Sequence, residues 1–382
     1  MKATDFKADA PGLLIGSLGG NICFRPNPLP PRLALDLETV SLLSTADRSL
    51  GMLAGAGQML PNPHLLIEPF LRREAILSSK IEGTIASARE VVDFQLDPDH
   101  PPEKQDVREV SNYILALKHG LERVKDLPVS LRLIRELHAQ LLRGVRGSDR
   151  QPGDFRKVQN WIGPWNSPIE DARYVPPPVP AMHDSLGELE KFVHEPSDLP
   201  VLVQLALIHY QFEAIHPFED GNGRVGRLLI SLLLSERELL PQPLLYLSAY
   251  FERHSKDYAD LLLRVSQQNA WLEWIRFFVR GVAEQSADAA QRCTKLLRLW
   301  QEYRAKMQDV HAPALSLKLV DQLFTQPLMT VRHAQEVLGG GVTYPTAKNN
   351  LDKLATAGIV KQERNRQGTR YYVAKKILQL TD

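Results

Sequence analysis

Residues 215–227 read Ile-His-Pro-Phe-Glu-Asp-Gly-Asn-Gly-Arg-Val-Gly-Arg and lie between two apolar segments, 202–212 and 228–234. Apolar runs of this length are typical of buried helices, and the glycines and charged residues between them interrupt the pattern. The stretch is therefore predicted to be a polar loop held between two buried helices.

The glycines of this loop indicate an anion-binding site. Gly221 and Gly223 flank Asn222, and these residue types adopt positive φ at little steric cost. They can turn successive backbone N–H groups toward one point. At the start of a helix, such N–H groups bind anions together with the positive end of the helix dipole. We expect a phosphate chain to bind there.

Charged side chains surround the predicted anion site. Arg224 and Arg227 are three positions apart, so their guanidinium groups face one side of the following helix and can clamp phosphate oxygens. Asp220 is a hard carboxylate of the kind that holds Mg²⁺ beside a polyphosphate. His216 is largely neutral at neutral pH, where it can take a proton from a hydroxyl group.

Each of these features alone has an ordinary structural explanation. A Gly-Asn-Gly sequence is a turn, a single histidine usually has a structural role, and arginines after a loop are often solvated. A base, a metal-type carboxylate, an anion-binding loop and two arginines within twelve positions are difficult to explain together in that way. The combination favours a catalytic site that handles phosphate groups.

Residues 216–227 match in full the pattern His-x-Phe-x-[Asp/Glu]-Gly-Asn-Gly-Arg-x-x-Arg, so the chain resembles the Fic family. In that family the motif joins two helices of an all-α core and transfers AMP from ATP to a hydroxyl side chain of a protein. The resemblance implies ATP and Mg²⁺ as ligands. It also assigns roles by position: the base His216, the packing residue Phe218, the Mg²⁺ ligand Asp220, the phosphate-binding residues Gly221, Asn222, Gly223 and Arg224, the terminal-phosphate contact Arg227, Glu219 in the same nucleotide-binding stretch, and Tyr258 beside the adenine.

The segment Ser78-Ser79-Lys80-Ile81-Glu82-Gly83 ends a predicted helix, with Ser78 and Glu82 on one face. By itself this is a solvated helix end, where a glutamate is mildly unfavourable against the helix dipole. The six residues also resemble the inhibitory pattern [Ser/Thr]-x-x-x-Glu-[Gly/Asn] of the Fic family. The resemblance implies that Ser78, Glu82 and Gly83 form an intramolecular inhibitory element, in which Glu82 pairs with Arg227 and blocks the γ-phosphate. A carboxylate at that place would repel a polyphosphate.

Two segments near the middle of the chain, 153–163 and 171–175, alternate and are broken by glycine and proline. They are predicted to form a short β-hairpin, and a surface loop is the alternative. The same segments resemble the flap of the Fic family, which lies over the active site and pairs with the backbone of the target protein. The resemblance implies that the flap edge consists of Asp171, Ala172, Arg173 and Tyr174.

The chain has 382 residues, of which 43% are hydrophobic and 24% are charged, so two or three globular domains are expected. We predict a mainly α fold: an all-helical Fic-like core with a short β-hairpin flap and a C-terminal winged helix domain. Residues 1–33 are rich in glycine and proline and are predicted to be an extended arm. The predicted domains are an N-terminal helical region at 1–110, a catalytic core at 111–284, a connecting helix at 285–312 and a winged helix-turn-helix domain at 313–382.

The C-terminal segment has the pattern of a winged helix-turn-helix. Helices are predicted at 315–324, at 331–338 and at 343–357, and a β-hairpin follows around 364–369. The segment is locally basic, with Lys348, Lys353, Lys361, Arg364, Arg366, Arg370, Lys375 and Lys376 against Asp352 and Glu363. DNA binding through residues 343–376 and docking to a protein, including a second copy in a homodimer, are both open, because the fold alone does not decide between them.

The composition argues against several classes of protein. Cys23 and Cys293 are far apart and lack metal-ligand spacing, so neither a disulfide framework nor a zinc site is predicted. The N-terminus lacks the apolar segment of a secretory signal, and no run approaches the roughly 20 apolar residues of a membrane span. We therefore expect a cytoplasmic protein that does not bind membranes.

Three functions are consistent with these features. The favoured one is a protein adenylyltransferase that modifies Ser, Thr or Tyr hydroxyls of target proteins and of itself, with Glu82 as its inhibitor. The second is a hydrolase that removes AMP, in which Glu82 positions a water molecule. The third is a DNA-binding regulator whose core only senses nucleotide. An intact His216 argues against the third, because nucleotide binding alone does not require a base.

Overall fold

The computed structural model of the protein describes residues 1–16, 19–58, 64–96, 104–164, 167–240, 242–309, 313–364 and 370–381. It confirms the mainly α fold. The N-terminal region contains β1 (Gly12–Gly16), β2 (Ile22–Pro26), α1 (Leu37–Gln58), α2 (His64–Ile81) and α3 (Ala88–Leu96). The central region contains α4 (Gln105–Arg123), α5 (Leu131–Leu141), α6 (Val179–His194), α7 (Val201–Ile215), α8 (Asn222–Glu236), α9 (Ser248–Arg253), α10 (Ser255–Gln268) and α11 (Trp271–Asp309). The C-terminal region contains α12 (Ala314–Thr325), β3 (Leu328–Met329), α13 (Val331–Leu338), α14 (Tyr344–Thr356), β4 (Lys361–Arg364), β5 (Arg370–Val373) and α15 (Lys375–Thr381).

The central core forms around α7. Eleven of the 15 residues of α7 are aliphatic or aromatic, and all residues of the helix are buried except Val201 and Glu213. A helix that is hydrophobic on all sides is stable only in a protein interior, so other helices must cover it. Helices α6, α8, α10 and α11 pack against it, and the indole of Trp274 on α11 donates a hydrogen bond of 2.9 Å to the carbonyl of Ala206. The C-terminal end of α7 is thereby fixed at the start of the predicted loop.

The N-terminal segment differs from the predicted extended arm. Strands β1 and β2 form an antiparallel hairpin, in which Leu14 lies opposite Phe24. Phe24 is fully buried and stacks on Phe6 with a ring separation of 5.2 Å. The arm prediction was wrong for this part, because a high proline content excludes a helix but does not exclude edge strands.

A single helix crosses a predicted domain boundary in the middle of the chain. Most of the predicted connecting helix at 285–312 belongs to α11, which begins at Trp271, and residues 310–312 lie outside the described residues. Helix α1 packs along α11. The predicted domain boundary at 284 therefore falls inside a helix. Among the described helices, none is long and apolar enough to cross a membrane.

The described residues of the flap, 153–164 and 167–175, do not form the predicted hairpin. Ile162 and Tyr174 form an isolated antiparallel bridge, and residues Ile169–Asp171 form a turn of 3₁₀ helix. The Tyr174 hydroxyl donates a hydrogen bond of 2.7 Å to the carbonyl of Ala214 at the end of α7. Prolines at 164 and 168 lie between the two segments, and the buried Tyr174 is fixed to the core by its hydroxyl group. The alternative interpretation, an irregular surface segment, describes most of this region.

The C-terminal region contains the predicted order of three helices followed by a hairpin. The side chains of Thr330 and Thr343 cap α13 and α14 by accepting hydrogen bonds from the backbone N–H groups of His333 (3.1 Å) and Thr346 (3.4 Å). Strands β3, β5 and β4 form a sheet in that order. The short β3 and the final α15 were not predicted, and the tip of the hairpin at 365–369 lies outside the described residues.

Helix α2 supports the C-terminal region. Arg72 on α2 donates a hydrogen bond of 3.2 Å to the carbonyl of Thr325, and Arg89 at the start of α3 forms an ion pair of 2.7 Å with Glu363 on β4. Val92 on α3 joins a small buried apolar cluster with Leu328, Tyr371 and Val373. The helix that ends at the predicted inhibitory segment is thus also a docking surface for the C-terminal region.

Leu117→Ala should lower the free energy of unfolding by about 2–5 kcal/mol, because Leu117 is fully buried on α4 and its truncation leaves a cavity. Leu115→Ala on the same helix is the matched control, since Leu115 is 49% exposed and its loss should change stability by about 0.5 kcal/mol or less. Urea unfolding followed by circular dichroism measures both. Equal effects of the two changes would contradict the orientation of α4.

Candidate active site

The loop between α7 and α8 has a conformation that its sequence specifies closely. His216 ends α7 with φ of 50°, and Gly221 precedes α8 with φ of 82°. The Asn222 side chain closes the loop, because its Oδ1 accepts a hydrogen bond from the Phe218 N–H and its Nδ2 donates one to the Phe218 carbonyl, both at 2.8 Å. The predicted packing residue Phe218 is fully buried beneath the loop. The backbone of the loop is therefore fixed before any ligand binds.

His138 on α5 supports the loop from below. Its ring stacks on Phe218 at 3.7 Å, its Nδ1 accepts a hydrogen bond of 2.8 Å from the Gly153 N–H, and its Nε2 donates one of 3.0 Å to the Asp220 carbonyl. Burial lowers the pKa of His138 to about 4, so the ring is neutral at pH 7. No sequence signal identifies this role, because the partners of His138 are distant in the chain.

His216 has the geometry of a neutral base. Its Nδ1 lies 3.3 Å from the Glu213 carbonyl, which can only accept a hydrogen bond, so Nδ1 carries the proton and Nε2 keeps a lone pair. Its own carbonyl accepts hydrogen bonds from the side chains of Arg156 (3.0 Å) and Asn160 (3.3 Å). Burial, with the nearby charge of Arg156, lowers the pKa of His216 to about 4. The imidazole is therefore ready to accept a proton at neutral pH.

Arg224 is buried and already has acidic partners. Its Nη1 lies 3.4 Å from Oε2 of Glu109 on α4, and its Nη2 lies 3.3 Å from Oδ1 of Asp220. Thr84, two residues after the predicted inhibitory glutamate, donates a hydrogen bond of 2.8 Å to the same oxygen of Glu109. The first arginine of the predicted clamp is thus held in place by two carboxylates, and Glu109 is a positioning residue that the sequence did not reveal.

Arg227 makes the contact predicted for the inhibitory segment. Its Nη2 lies 2.6 Å from Oε1 of Glu82, and its guanidinium group also donates to the hydroxyl (2.9 Å) and the carbonyl (3.0 Å) of Ser78. Gly83 follows with φ of 85°, which ends the helical conformation as predicted. Burial alone would raise the pKa of Glu82, but the Arg227 charge holds it below the usual value. The two partners differ in exposure, since 2% of the Arg227 side chain and 36% of the Glu82 side chain are accessible.

Gly223 explains how Glu82 reaches the loop. A Cβ atom at this position would overlap Oε1 of Glu82 and would lie 2.8 Å from Nη1 of Arg227. Glycine at 223 therefore leaves the space in which the carboxylate contacts the first turn of α8. The same backbone surface is the predicted phosphate site, so Glu82 and a phosphate group would occupy adjoining or overlapping space.

A cavity of about 310 Å³ opens beside the loop. Its lining residues include the charged Glu82 and Arg227, the loop residues His216 and Gly223, and apolar side chains such as Leu262 and Leu263. The predicted adenine neighbour Tyr258 also lines the cavity, and its hydroxyl is hydrogen-bonded to Nε2 of His209 at 2.7 Å. A cavity lined by both charged and apolar side chains suits a nucleotide. Glu219 is not among the lining residues and forms an ion pair of 3.6 Å with Arg150.

Models of known families match two adjacent parts of this chain. Residues 40–122 match the Fic/DOC family N-terminal region, and residues 128–234 match the Fic/DOC family, with the whole loop inside the second match. The chain belongs to the Fic/DOC family.

Several curated relatives of this Fic protein are named protein adenylyltransferases. A probable protein adenylyltransferase of Aquifex aeolicus is 28% identical over 182 residues, which are 46% of this chain and 52% of the relative. The protein adenylyltransferase Fic of Nematostella vectensis is 25% identical over 302 residues, or 75% of this chain and 64% of the relative. The protein of that name from Drosophila grimshawi is 31% identical over 163 residues, which are 40% of this chain and 31% of the relative. The chain thus spans less than two thirds of these relatives.

Solved structures agree with the fold. A Fic family protein of Desulfovibrio desulfuricans aligns with a TM-score of 0.58 and 19% identity, over 91% of this chain and 98% of its own. Fic-1 of C. elegans aligns with a TM-score of 0.52 and 22% identity, over 68% of this chain and 74% of its own. At these identities the likeness concerns the fold alone.

The flap edge predicted in this Fic protein is closed. The backbone N–H groups of Asp171, Ala172, Arg173 and Tyr174 donate to the carbonyls of Pro168, Ile169, Ile162 and Ile162, at 2.9–3.1 Å. The carbonyl of Ala172 accepts from the N-terminal amine at 2.6 Å, and the Arg173 side chain pairs with Asp260 at 2.7 Å. The prediction of an open edge for strand pairing was therefore wrong for this conformation, because local turns and the bridge use every N–H group of the segment.

The loop fits Mg²⁺ only together with phosphates. Asp220 offers one carboxylate, whose Oδ1 also accepts a hydrogen bond of 2.6 Å from the Gly221 N–H. In the part of the chain that the structure describes, no three His, Cys, Asp or Glu side chains form a group that could hold a metal ion by themselves. Mg²⁺ usually takes one or two carboxylates, several waters and phosphate oxygens. A single aspartate beside an anion site fits that donor set.

The imidazole of His216 should titrate near pH 4, well below the usual value, because burial and the Arg156 charge disfavour its protonated form. The ring then stays neutral from neutral pH down to about pH 5. NMR of histidine-labelled protein, with His216→Ala to assign the signal, measures the midpoint. A midpoint at or above pH 6.5 would contradict the buried geometry of the base.

Proposed function

We propose that this Fic protein is a protein adenylyltransferase, which moves AMP from ATP to Ser, Thr or Tyr hydroxyls of target proteins and of itself. The names of its relatives support this activity. One observation carries the proposal: a neutral His216 presents an unprotonated Nε2 in the cavity that Gly223 and Arg227 also line. A protein that only binds nucleotide has no need of such a base.

The proposed reaction follows from the position of that base. Nε2 of His216 takes the proton as the hydroxyl oxygen attacks the α-phosphorus of ATP. A new P–O bond forms to the target, the bond from the α-phosphorus to the bridging oxygen breaks, and pyrophosphate leaves with the bonding electrons. A positioned general base contributes on the order of 10²–10⁴ to such a rate.

The phosphate chain would lie along the start of α8. Backbone N–H groups at 221–223 and the helix dipole would bind its α-phosphate, and Arg227 would bind the terminal phosphate. Asp220 would hold Mg²⁺, whose charge supplies electrostatic stabilisation of the phosphates. Arg224, now paired with Glu109 and Asp220, would add positive charge on the same side.

Glu82 would restrain this reaction from within the chain. Its carboxylate accepts a hydrogen bond from Nη2 of Arg227. The same guanidinium group would have to be free to bind the terminal phosphate. A negative charge at that place also repels the polyphosphate, so ATP would bind in a pose that is poorly aligned for attack. The element belongs to the same chain, so the inhibition would be intramolecular.

Two alternatives remain distinct from this proposal. In an AMP-removing hydrolase, Glu82 would orient a water molecule and would be required for turnover. In a nucleotide-sensing regulator, changes at His216 would leave the function intact. Both alternatives differ from the adenylyltransferase in their response to substitutions at Glu82 and His216.

A homodimer and a cytoplasmic location stay predictions from the sequence.

Glu82→Gly should raise the rate of AMP incorporation from labelled ATP, including incorporation into the protein itself, by about tenfold or more. The physical reason is the release of Arg227 for the terminal phosphate, and tenfold corresponds to about 1.4 kcal/mol of barrier. The variant should also lose about 1–3 kcal/mol of stability, because a buried guanidinium group loses its charged acceptor. Mass spectrometry of the modified protein and urea unfolding measure the two effects.

Two double variants control this experiment. Glu82→Gly with Arg227→Ala should show no activation, since the freed contact is gone. Glu82→Gly with His216→Ala should bind ATP but transfer no AMP. Lower turnover of Glu82→Gly at equal foldedness would instead favour the AMP-removing hydrolase.

We also propose that the C-terminal region binds DNA through residues 343–376. The start of α14 exposes Thr343, Tyr344, Pro345 and Thr346, and the hairpin exposes Lys361 and Arg364. A helix start with polar side chains beside basic strands suits a groove lined by phosphates. Some of the positive charge is neutralised internally, since Lys348 pairs with Asp352 at 2.6 Å and Lys375 pairs with Glu363 at 2.6 Å.

Lys361→Ala should reduce the salt dependence of DNA binding by about one unit of logarithmic slope, because one phosphate contact is lost. Lys348→Ala should reduce it by less, since its ammonium group already has a carboxylate partner. Fluorescence anisotropy with a short duplex at several salt concentrations measures the slopes, and Lys191→Ala is the control, because Lys191 is exposed on α6 in a different part of the protein. Absence of binding at low salt would favour docking to a protein.

A further inference from the structure

Glu213 is a polar residue of the cavity that neither the motif nor the proposed reaction uses. It belongs to the last turn of α7, a helix that is otherwise almost fully buried. Its Oε1 is buried without a hydrogen-bond partner among the described residues, and the side chain lines the cavity beside the loop. Buried carboxylate oxygens nearly always have a partner, so an unpartnered one at a ligand cavity indicates a contact that a ligand completes.

Gly226 makes room for this carboxylate. A Cβ atom at 226 would overlap Oε1 of Glu213 and would lie 3.2 Å from Cδ1 of Phe212. Position 226 is a variable position of the loop motif, so the motif does not require glycine there. The packing of Gly226 against Glu213 brings the carboxyl group close to the backbone of α8.

The electrostatic surroundings leave the carboxyl group without full compensation. Burial raises the pKa of Glu213 to about 7, the Arg227 charge opposes this shift, and the Glu82 charge adds to it. The Arg227 guanidinium group forms its ion pair with Glu82 and not with Glu213. A ligand that brings hydrogen-bond donors would stabilise the carboxylate.

The position of Glu213 along the cavity indicates which donors these are. Tyr210, Glu213 and His216 line the cavity from one helix, at intervals of three residues, or about 4.5 Å along the axis. In the proposed reaction the α-phosphate lies beside His216, and the ribose is the next group of the nucleotide. The base would then lie beyond Glu213 toward Tyr210, in a cavity that apolar side chains such as Leu262 also line.

We propose that Glu213 is a nucleotide-binding residue that accepts hydrogen bonds from the ribose hydroxyl groups. The inference rests on the proposed function, because it takes ATP as the occupant of the cavity. A carboxylate offers two acceptor oxygens to two vicinal hydroxyl donors, and acidic residues recognise ribose in this way in other nucleotide sites. The contact would make the protein specific for ribonucleotides over deoxyribonucleotides.

Calorimetric titration of the Glu82→Gly protein with ATP, 2′-deoxy-ATP and 3′-deoxy-ATP tests this assignment. ATP should bind about tenfold or more tightly than at least one deoxynucleotide, as expected for a hydrogen bond to a charged group. In Glu82→Gly with Glu213→Ala this preference should fall to about twofold or less. Ser266→Ala in the same background is the matched control, because Ser266 lines the cavity but is hydrogen-bonded to Tyr210, and the preference should persist.

The outcomes separate this inference from the function on which it rests. A preference for ATP that persists after Glu213→Ala overturns the ribose contact and leaves the adenylyltransferase untouched. Glu213→Ala could instead abolish a preference for ATP over inosine triphosphate while the preference for ATP over the deoxynucleotides is retained. That result would place Glu213 beside the base and would also overturn the ribose contact. Failure of the Glu82→Gly protein to bind ATP at all overturns both. If Glu213→Ala does not fold, Glu213→Gln keeps the shape and should reduce the preference partially.

Discussion

The contact between Arg227 and the end of α2 is the constraint on which the arrangement of this protein depends. A guanidinium group with 2% exposure is stable only when its donors have partners, and here these are Glu82 and two oxygen atoms of Ser78. The partners lie 145 and 149 residues away in the chain. The buried cation thereby fixes the predicted inhibitory segment at the start of α8, where the predicted phosphate site is located.

The rest of α2 reinforces this contact on one face and carries the C-terminal region on another. Glu74, one turn before Ser78, accepts hydrogen bonds from the hydroxyls of Tyr113 (3.0 Å) and Ser248 (2.6 Å), so a polar stripe follows the helix to Glu82. Arg72 on the same helix holds the carbonyl of Thr325. Displacement of Glu82 therefore requires either local opening after Ser78 or movement of a helix that several regions share.

Features that depend on a few consecutive residues were predictable. The turn at Gly221, the helix end at Gly83 and the caps at Thr330 and Thr343 agree with the structure, because each is decided by backbone preferences or by a hydrogen bond within three or four residues. Features that depend on distant partners were missed. The N-terminal hairpin, the closed flap and the support of the loop by His138 depend on surfaces that only the folded chain brings together.

The sequence by itself determined the mainly helical fold and the polar glycine-containing loop between two buried helices, since local patterns specify them. The pairing of Glu82 with Arg227 was implied by the resemblance of two short patterns to the Fic family, and the structure contains that contact. Only the tertiary structure decided that Arg224 is held by Glu109, that the flap lacks an open edge and that Glu213 faces the cavity without a partner. The physical reason is that burial and hydrogen-bond satisfaction are properties of the environment of a side chain. Helices distant in sequence create that environment, and no local pattern encodes it.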